Sequence, residues 1–380
     1  MAESSTKTTD NSGHKKPVTV VDVHSHLYPS FYLDLLRSRT EAPYIKDNRL
    51  VNRASAAGAG KPVQPILYDV STKISFMDTH NIDVSILSLG NPWLDFLPTE
   101  TAGAVAQDMN DQFNDLCASV PGRLYFFAVL PLSAPPSVIL AEIARLPKLS
   151  HVRGIVIGCA GRGDGLDDPE LVPIFRTLAD AKLPIFLHPN YGLPETVWGK
   201  RAKEYGQILP ISMGFPLETT IAVTRLILSG IFAEIPHLEF IVSHAAGTLP
   251  FLAGRIENAI DHDRLWEAQG KNKPDRQTVW DVLRKNIYMD GIVYDQIPLK
   301  MAVEAAGVDR VMFGTDHPFF PPIKGGEDWP SMWSNEKAVS QGFGKDSEQY
   351  QLIMGDNAVR VLGVGEGEAG HAGGCCCDGH

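Results

Sequence analysis

The sequence predicts an α/β chain folded as a (β/α)8 TIM barrel, with loop insertions over its C-terminal face. Three observations lead there. Strand-forming and helix-forming runs alternate through the middle of the chain, as in parallel sheets with crossover helices. Eight such repeats can be counted, the number that closes a barrel. Four of the strand runs also end in a metal-type ligand: Val-Asp-Val-His24-Ser-His26, Ile-Phe-Leu-His188-Pro, Phe-Ile-Val-Ser-His244 and Val-Met-Phe-Gly-Thr-Asp316. In a barrel all strand C-termini open onto one face, so ligands far apart in sequence converge there.

Taken in order, the strand candidates are residues 19–24, 84–89, 124–130, 154–157, 185–188, 240–243, 287–289 and 310–313. They are short runs rich in β-branched and aromatic residues, bounded by turn formers. Between them lie helix candidates at 71–79, 100–119, 136–145, 169–181, 217–232, 250–263, 279–285 and 298–306. Segments 39–70 and 190–214 are rich in Pro, Gly and polar residues and both follow strand ends, which makes them candidate lids over the barrel mouth.

A typical barrel of this kind needs about 250 residues, so a chain of 380 fits one barrel with elaborated loops. A hydrophobic fraction of 44% with 21% charged residues excludes a wholly disordered or collagen-like chain. The net charge of −11 argues against a nucleic-acid surface, which needs clustered Lys and Arg. Residues 1–16 are polar, lack the apolar core of a secretory signal, and are expected to be a disordered tail. The most apolar helix-like stretch, 219–235, contains Arg225, so no membrane span is expected and the protein reads as cytoplasmic. The barrel is assigned to 17–363. Segment 364–380, Gly-rich and acidic with Cys375-Cys376-Cys377, is expected to be a second disordered tail. Cys117 and Cys159 lie in apolar surroundings and read as reduced core residues.

The candidate metal ligands are His24, His26, His188 and Asp316. Residues i and i+2 of a strand share a face, so both imidazoles of His24-Ser-His26 enter the barrel mouth. Pro189 pushes His188 toward an extended conformation, which suits a ligand at a strand end. An acid at the position of Asp316 is costly to bury unless a cation accompanies it. His317 points in a different direction from its neighbour and is not expected to be a ligand. His14, His80, His151, His237 and His262 lack strand-end context and are expected to face solvent.

Three motifs carry a resemblance that runs from about residue 18 to 363. They are Asp22-Val-His24-Ser-His26, Ser-His244-Ala-Ala-Gly-Thr-Leu-Pro-Phe-Leu-Ala-Gly-Arg255-Ile and Gly-Thr-Asp316-His-Pro-Phe319, together with His188-Pro. The chain resembles the amidohydrolase superfamily, specifically its branch of non-oxidative decarboxylases typified by aminocarboxymuconate semialdehyde decarboxylase. Within it, Asn91-Pro-Trp-Leu-Asp-Phe-Leu, His188-Pro-Asn-Tyr-Gly-Leu-Pro and Gly214-Phe-Pro-Leu-Glu-Thr-Thr are most similar to the fungal uracil-5-carboxylate (isoorotate) decarboxylases. The resemblance implies that His24, His26, His188 and Asp316 hold Zn2+, with Mn2+ as the alternative ion. It implies that His244 is the catalytic histidine and that Asn91, Phe319 and Arg255 contact substrate. The arginine can reach a neighbouring subunit, so a homodimer or a dimer of dimers is expected. Where those decarboxylases have Arg in a Gly-Arg-Pro loop, this chain has Gly60-Lys61-Pro62. Lysine keeps the positive charge and loses the bidentate fork.

The expected partner is a small anionic cyclic carboxylate. A metal chelating a ring carboxylate and an adjacent oxygen stabilises charge there. The ring carbon must then be protonated, with Asp316 as the final donor and His244 holding or supplying the proton. Uracil-5-carboxylate leads as substrate, followed by a salicylate-type acid such as 6-methylsalicylate or aminocarboxymuconate semialdehyde. Another reading of the same residues is a mononuclear metal-dependent amide or lactone hydrolase, and a third is a metal-stabilised binding protein. Trp93 and Phe96 fit either a substrate wall or core packing.

Overall fold

The computed structural model describes residues 18–52, 60–265, 276–322, 326 and 329–365. The expected tail 1–16, His14 and the thiols Cys375 to Cys377 lie outside them. Eight strands form one parallel sheet, each hydrogen-bonded to the next in chain order: β1 (Val21–His26), β2 (Val84–Ser88), β3 (Leu124–Val129), β4 (Val152–Gly158), β5 (Ile185–His188), β6 (Phe240–Val242), β7 (Ile287–Asp290) and β8 (Val311–Met312). The ring closes where Val23 N donates to Phe313 O (3.1 Å), Asp316 N to His24 O (2.8 Å) and His26 N to His317 O (2.7 Å). A sheet closed in this way, with crossover helices outside, is the (β/α)8 barrel. The β1–β2 register shifts between Asp22 and Ser25, around the first histidine. Such irregularities re-aim side chains beside active sites.

The strands are buried along almost their whole length, which is why they read as continuous apolar runs. The helices that cover them are α1 (Ser30–Arg37), α2 (Val70–Thr79), α3 (Thr99–Ala118), α4 (Pro136–Arg145), α5 (Val172–Asp180), α6 (Phe215–Ser229), α7 (Leu249–Leu265), α8 (Val279–Lys285), α9 (Gln296–Ala306) and α10 (Pro330–Phe343). Local capping explains several boundaries. The Asp69 carboxylate accepts from Ser71 N at the start of α2, and the Asp295 carboxylate from Ile297 N at the start of α9. Gly230, at φ 78°, ends α6 in the left-handed region that glycine adopts freely.

Three findings depart from the sequence expectation. Segment 39–70 carries a small antiparallel sheet of Tyr44–Lys46, Arg49–Val51 and Lys61–Pro62. Its first turn places Asp47 and Asn48 at φ 49° and 55°, as a two-residue hairpin requires. Ile45 and Leu50 anchor this sheet in the core, while Lys61 rides at its far edge. Helices α1 and α10 were not anticipated; α1 buries Tyr32, Leu33 and Leu36, a helical spacing too brief to stand out. Lastly, Pro210–Ser229 is long and apolar enough to cross a membrane by length and composition. Here α6 lies in the barrel's outer layer with Ala222, Val223, Leu226 and Ile227 buried, and Arg225 pairs with Asp167 at 2.6 Å.

Candidate metal centre and active site

The four predicted ligands meet at the C-terminal mouth. Donor atoms of His24, His26, His188 and Asp316 all lie within 4.8 Å of one another, and all four residues are buried. His24 and His26 come from the end of β1, His188 ends β5, and Asp316 follows β8 in a turn that gives it φ 57°. Below them Phe186 packs edge-on to His24, with ring centroids 4.9 Å apart, and stacks on Phe127, so the floor of the site is dry.

The outer nitrogens of the histidines are committed. His24 Nδ1 donates to Asp290 Oδ2 at 2.6 Å, His188 Nδ1 donates to the Pro189 carbonyl at 2.8 Å, and His26 Nδ1 shares a hydrogen bond of 2.9 Å with Ser88 Oγ. A carboxylate and a carbonyl only accept, so His24 and His188 turn an Nε2 lone pair inward unless Nε2 also carries a proton. His24 Nε2 lies 3.0 Å from His26 Nε2, and these two atoms lie 3.4 and 3.2 Å from Asp316 Oδ1. That buried oxygen has no hydrogen-bond partner. Three imidazole nitrogens and one orphaned carboxylate oxygen suit a divalent ion: tetrahedral ligands at about 2.1 Å are roughly 3.4 Å apart, close to the separations among His24, His26 and Asp316, with His188 completing a set within 4.8 Å.

Electrostatics agrees. Burial would lower His24, but the Asp316 and Asp290 carboxylates overcome it and raise the imidazole to about 10. A divalent ion held at the cluster would supply the same neutralisation of Asp316 and Asp290. Burial lowers His26 to about 4 and takes His188 well below the usual range, so both are neutral, as ligands must be. Burial opposes ionisation of Asp316, yet His24 and the other histidines hold its carboxyl well below normal.

His244 stands beside this cluster, half-buried, with Nε2 3.9 Å from Asp316 Oδ2. It opens a left-handed turn in which His244, Ala245 and Ala246 have φ 55°, 50° and 59°. Non-glycine residues pay on the order of 1–2 kcal/mol each for that region, and such strain concentrates at functional sites. The turn is tied down by His244 N donating to Asp290 Oδ1 at 2.8 Å. Asp290 therefore holds both histidines, and the sequence reading missed it. The signal was present: Ile287-Tyr-Met-Asp290 ends a strand in a residue of metal-ligand type, like the other four segments, but the strand was expected to stop one residue earlier.

The remaining predicted residues are distributed unevenly. Phe319 lies over the cluster with its ring 5.1 Å from that of His26, and Lys61 Nζ sits 3.7 Å above the Phe319 ring. Lys61 is exposed as a residue, but its ammonium is packed into the mouth, where desolvation lowers it to about 8. Asn91 is half-buried and its Nδ2 donates to the Asn190 carbonyl, joining the loops after β2 and β5. Trp93 is buried and edges His188 at 5.9 Å between centroids, whereas Phe96 packs with Tyr32 and under the Arg39 guanidinium. Gly158 permits this arrangement, because a Cβ there would overlap both Trp93 and the Asn190 amide. Arg255 is exposed on α7 and, among the described residues, has no ion pair or hydrogen bond.

His317 points away from the cluster, to Lys73 and Phe76, as a non-ligand. His237 and His262 are exposed, but the expectation of solvent-facing rings fails for His80 and His151, which are half-buried. His80 packs on Phe76 (4.7 Å) and His151 on Tyr125 (5.9 Å), since an imidazole presents an apolar body and a polar tip. Cys117 and Cys159 are buried and unpaired, and burial pushes both thiols up.

Residues 21–364 match the family model described as Amidohydrolase. The 2-amino-3-carboxymuconate-6-semialdehyde decarboxylase of Dictyostelium discoideum is 28% identical, covering 90% of this chain and 91% of its own. The gamma-resorcylate decarboxylase of a Rhizobium species is 30% identical over 74% of this chain and 85% of its own. The apo crystal structure of Metarhizium anisopliae IDCase superposes with a TM-score of 0.86 at 48% identity, covering 90% of this chain and 97% of that one. The chain belongs to the amidohydrolase family, in its branch of non-oxidative decarboxylases.

Proposed function

We propose that this chain is a metal-dependent carboxy-lyase that converts uracil-5-carboxylate to uracil and CO2, with Zn2+ held by His24, His26, His188 and Asp316. The observation that carries the reaction class is the buried four-donor cluster with an additional histidine, His244, beside its carboxylate. The substrate reading rests on the 48% identity to IDCase, taken with the Asn91 and His188 motifs. Three nitrogens and one carboxylate oxygen suit zinc better than manganese, which favours more oxygen ligands.

A divalent ion bound there supplies Lewis-acid polarisation of the substrate carboxylate and its neighbouring ring oxygen. Lys61 adds a positive charge at the mouth, Phe319 offers a face to the flat ring, and the Asn91 region borders its edge. Proton delivery falls to His244 and Asp316. The surrounding histidines hold Asp316 ionised, so the proton for the ring carbon enters through His244, whose Nε2 lies 3.9 Å from Asp316 Oδ2, and Asp316 acts as the relay. The carbon–carbon bond then breaks, its electron pair returns to the ring, and CO2 departs.

The working form is proposed to be a homodimer in a cytoplasmic setting. Phe251 (72% exposed) and Arg255 lie one turn apart on the outer face of α7, and Ile221 on α6 is also exposed. An apolar patch carrying an unpaired arginine supports contact with a second copy whose active site receives that arginine.

Liquid chromatography of products decides the function. Protein trimmed of residues 366–380, which leaves the buried Val364 in place, is incubated separately with uracil-5-carboxylate, 6-methylsalicylate, and representative amides or lactones. Uracil with loss of CO2 is the expected result. Decarboxylation of the aromatic acid alone moves the substrate, and hydrolysis without CO2 overturns the decarboxylase reading.

A further inference from the structure

The buried amine of Lys73 is left unused by this chemistry. Lys73 lies on the inner face of α2 at 1% exposure, among apolar side chains where a methionine would pack at no electrostatic cost. Its Nζ donates to His317 Nδ1 at 2.6 Å and approaches the His317 carbonyl at 3.4 Å. The His317 ring is stacked on Phe76 with centroids 3.9 Å apart and lies 4.6 Å from Trp329. His317 directly follows Asp316 in the chain.

Both hydrogen bonds of Lys73 go to the turn that presents Asp316. The His317 carbonyl accepts from His26 N at 2.7 Å, and His317 N donates to Thr315 Oγ1 at 3.1 Å. Thr315 in turn donates from Oγ1 and N to the two oxygens of Asp22, at 2.7 and 3.0 Å. Asp316 is suspended between these anchors at φ 57°, its own N donating to His24 O. A left-handed non-glycine residue persists only where its surroundings over-determine it. Asp22 fixes the turn from the N-terminal side and Lys73 from the C-terminal side.

We propose that Lys73 is a positioning residue for Asp316, acting through His317 to set the carboxylate among the three histidines. The inference rests on the metal-site reading above, not on the identity of the substrate. The test uses full-length protein with Cys375, Cys376 and Cys377 changed to serine, which removes thiols that bind Co2+ themselves; it is stripped of metal and titrated with Co2+, whose visible absorption reports ligand geometry independently of turnover. Lys73→Met is expected to weaken Co2+ binding by about 10–100-fold, the usual effect of losing an outer-shell partner, and to alter the absorption. Turnover should fall through kcat, with KM within about threefold.

The double variant Lys73→Met with His317→Phe keeps the test decisive if the single one folds poorly. Replacing both partners by apolar groups of similar shape leaves no buried donor stranded. A positioning role predicts that the double variant regains thermal stability while Co2+ affinity, spectrum and kcat stay impaired. Recovery of all of these together, or a folded Lys73→Met with wild-type Co2+ binding and spectrum, overturns the proposal. Were the metal-site reading itself at fault, the serine-tailed protein with Lys73 intact would show only the weak spectrum of aqueous Co2+, a separate result.

Discussion

Asp290 decides which nitrogen of His24 faces the cluster. One of its oxygens takes the proton of His24 Nδ1, and the other accepts from the backbone of His244 (2.8 Å) and Ile292 (3.1 Å). Asparagine has a single accepting oxygen, so Asp290→Asn must aim its NH2 group either at the imidazole or at two amide hydrogens. Either placement loosens His24 or the His244 turn. Metal affinity, read by competition with a chromogenic chelator, is expected to drop about 10–100-fold; unchanged affinity would show that Asp290 is only a structural acid. Lys61 makes a different prediction, about pH. Its pKa is lowered to about 8 by desolvation, so the ammonium that greets an anionic substrate is lost as pH rises through that value. The plot of kcat/KM, which reports free-enzyme ionisations, should show an alkaline limb near pH 8. Lys61→Arg should move that limb beyond about pH 10, because guanidinium stays charged. A limb that stays at pH 8 in the arginine variant assigns it to another group.

At the level of elements, the strands were legible because each is buried on both faces and so writes a continuous apolar run into the sequence. All eight start and end within two residues of expectation, and the ligands at their ends follow from the barrel's geometry rather than from any local motif. What could not be read was structure created by packing. The sheet at Tyr44–Pro62 has only two residues in the core, and its Asp47-Asn48 turn gives a weak signal. The left-handed run at His244 is likewise dictated by Asp290, which is 46 residues away in sequence. Helix α7 carries the prediction that belongs to this scale. Arg255 and Phe251 share its outer face, so Arg255→Ala should lower activity at least about tenfold, as loss of a charged substrate contact does, without releasing metal. If the proposed homodimer forms through this face, Phe251→Glu should give monomers in analytical ultracentrifugation and reduce activity in parallel, since a buried unpaired charge destabilises an interface. A fully active Arg255→Ala protein would remove that arginine from the site.

For the whole molecule, the metal centre is where β1, β5 and β8 are joined beyond their backbone ladders, so its charge balance feeds into global stability. Without metal, His26 and His188 are held neutral in the fold by burial, while an unfolded chain protonates them below about pH 6.5. Stability should therefore be lost as pH falls from about 6.5 toward 4. His24 behaves oppositely. Raised to about 10, it contributes fully below pH 6.5, and that contribution disappears as pH climbs toward 10. The metal-free protein should accordingly melt highest near pH 6.5 and lower on both sides. An ion takes the place of the His24 proton, so metal binding at pH 8 should release about one proton and should stabilise more as pH rises. With free metal at about 1,000 times its Kd the gain is about 4 kcal/mol, or about 6 °C in Tm for a chain of this size. Calorimetry in buffers of differing ionisation enthalpy measures the proton, and thermal melts with and without chelator measure the rest. A Tm difference independent of pH together with no proton released would mean that His24 is not the protonated ligand, and that the charge balance at the mouth of the barrel is set by other groups.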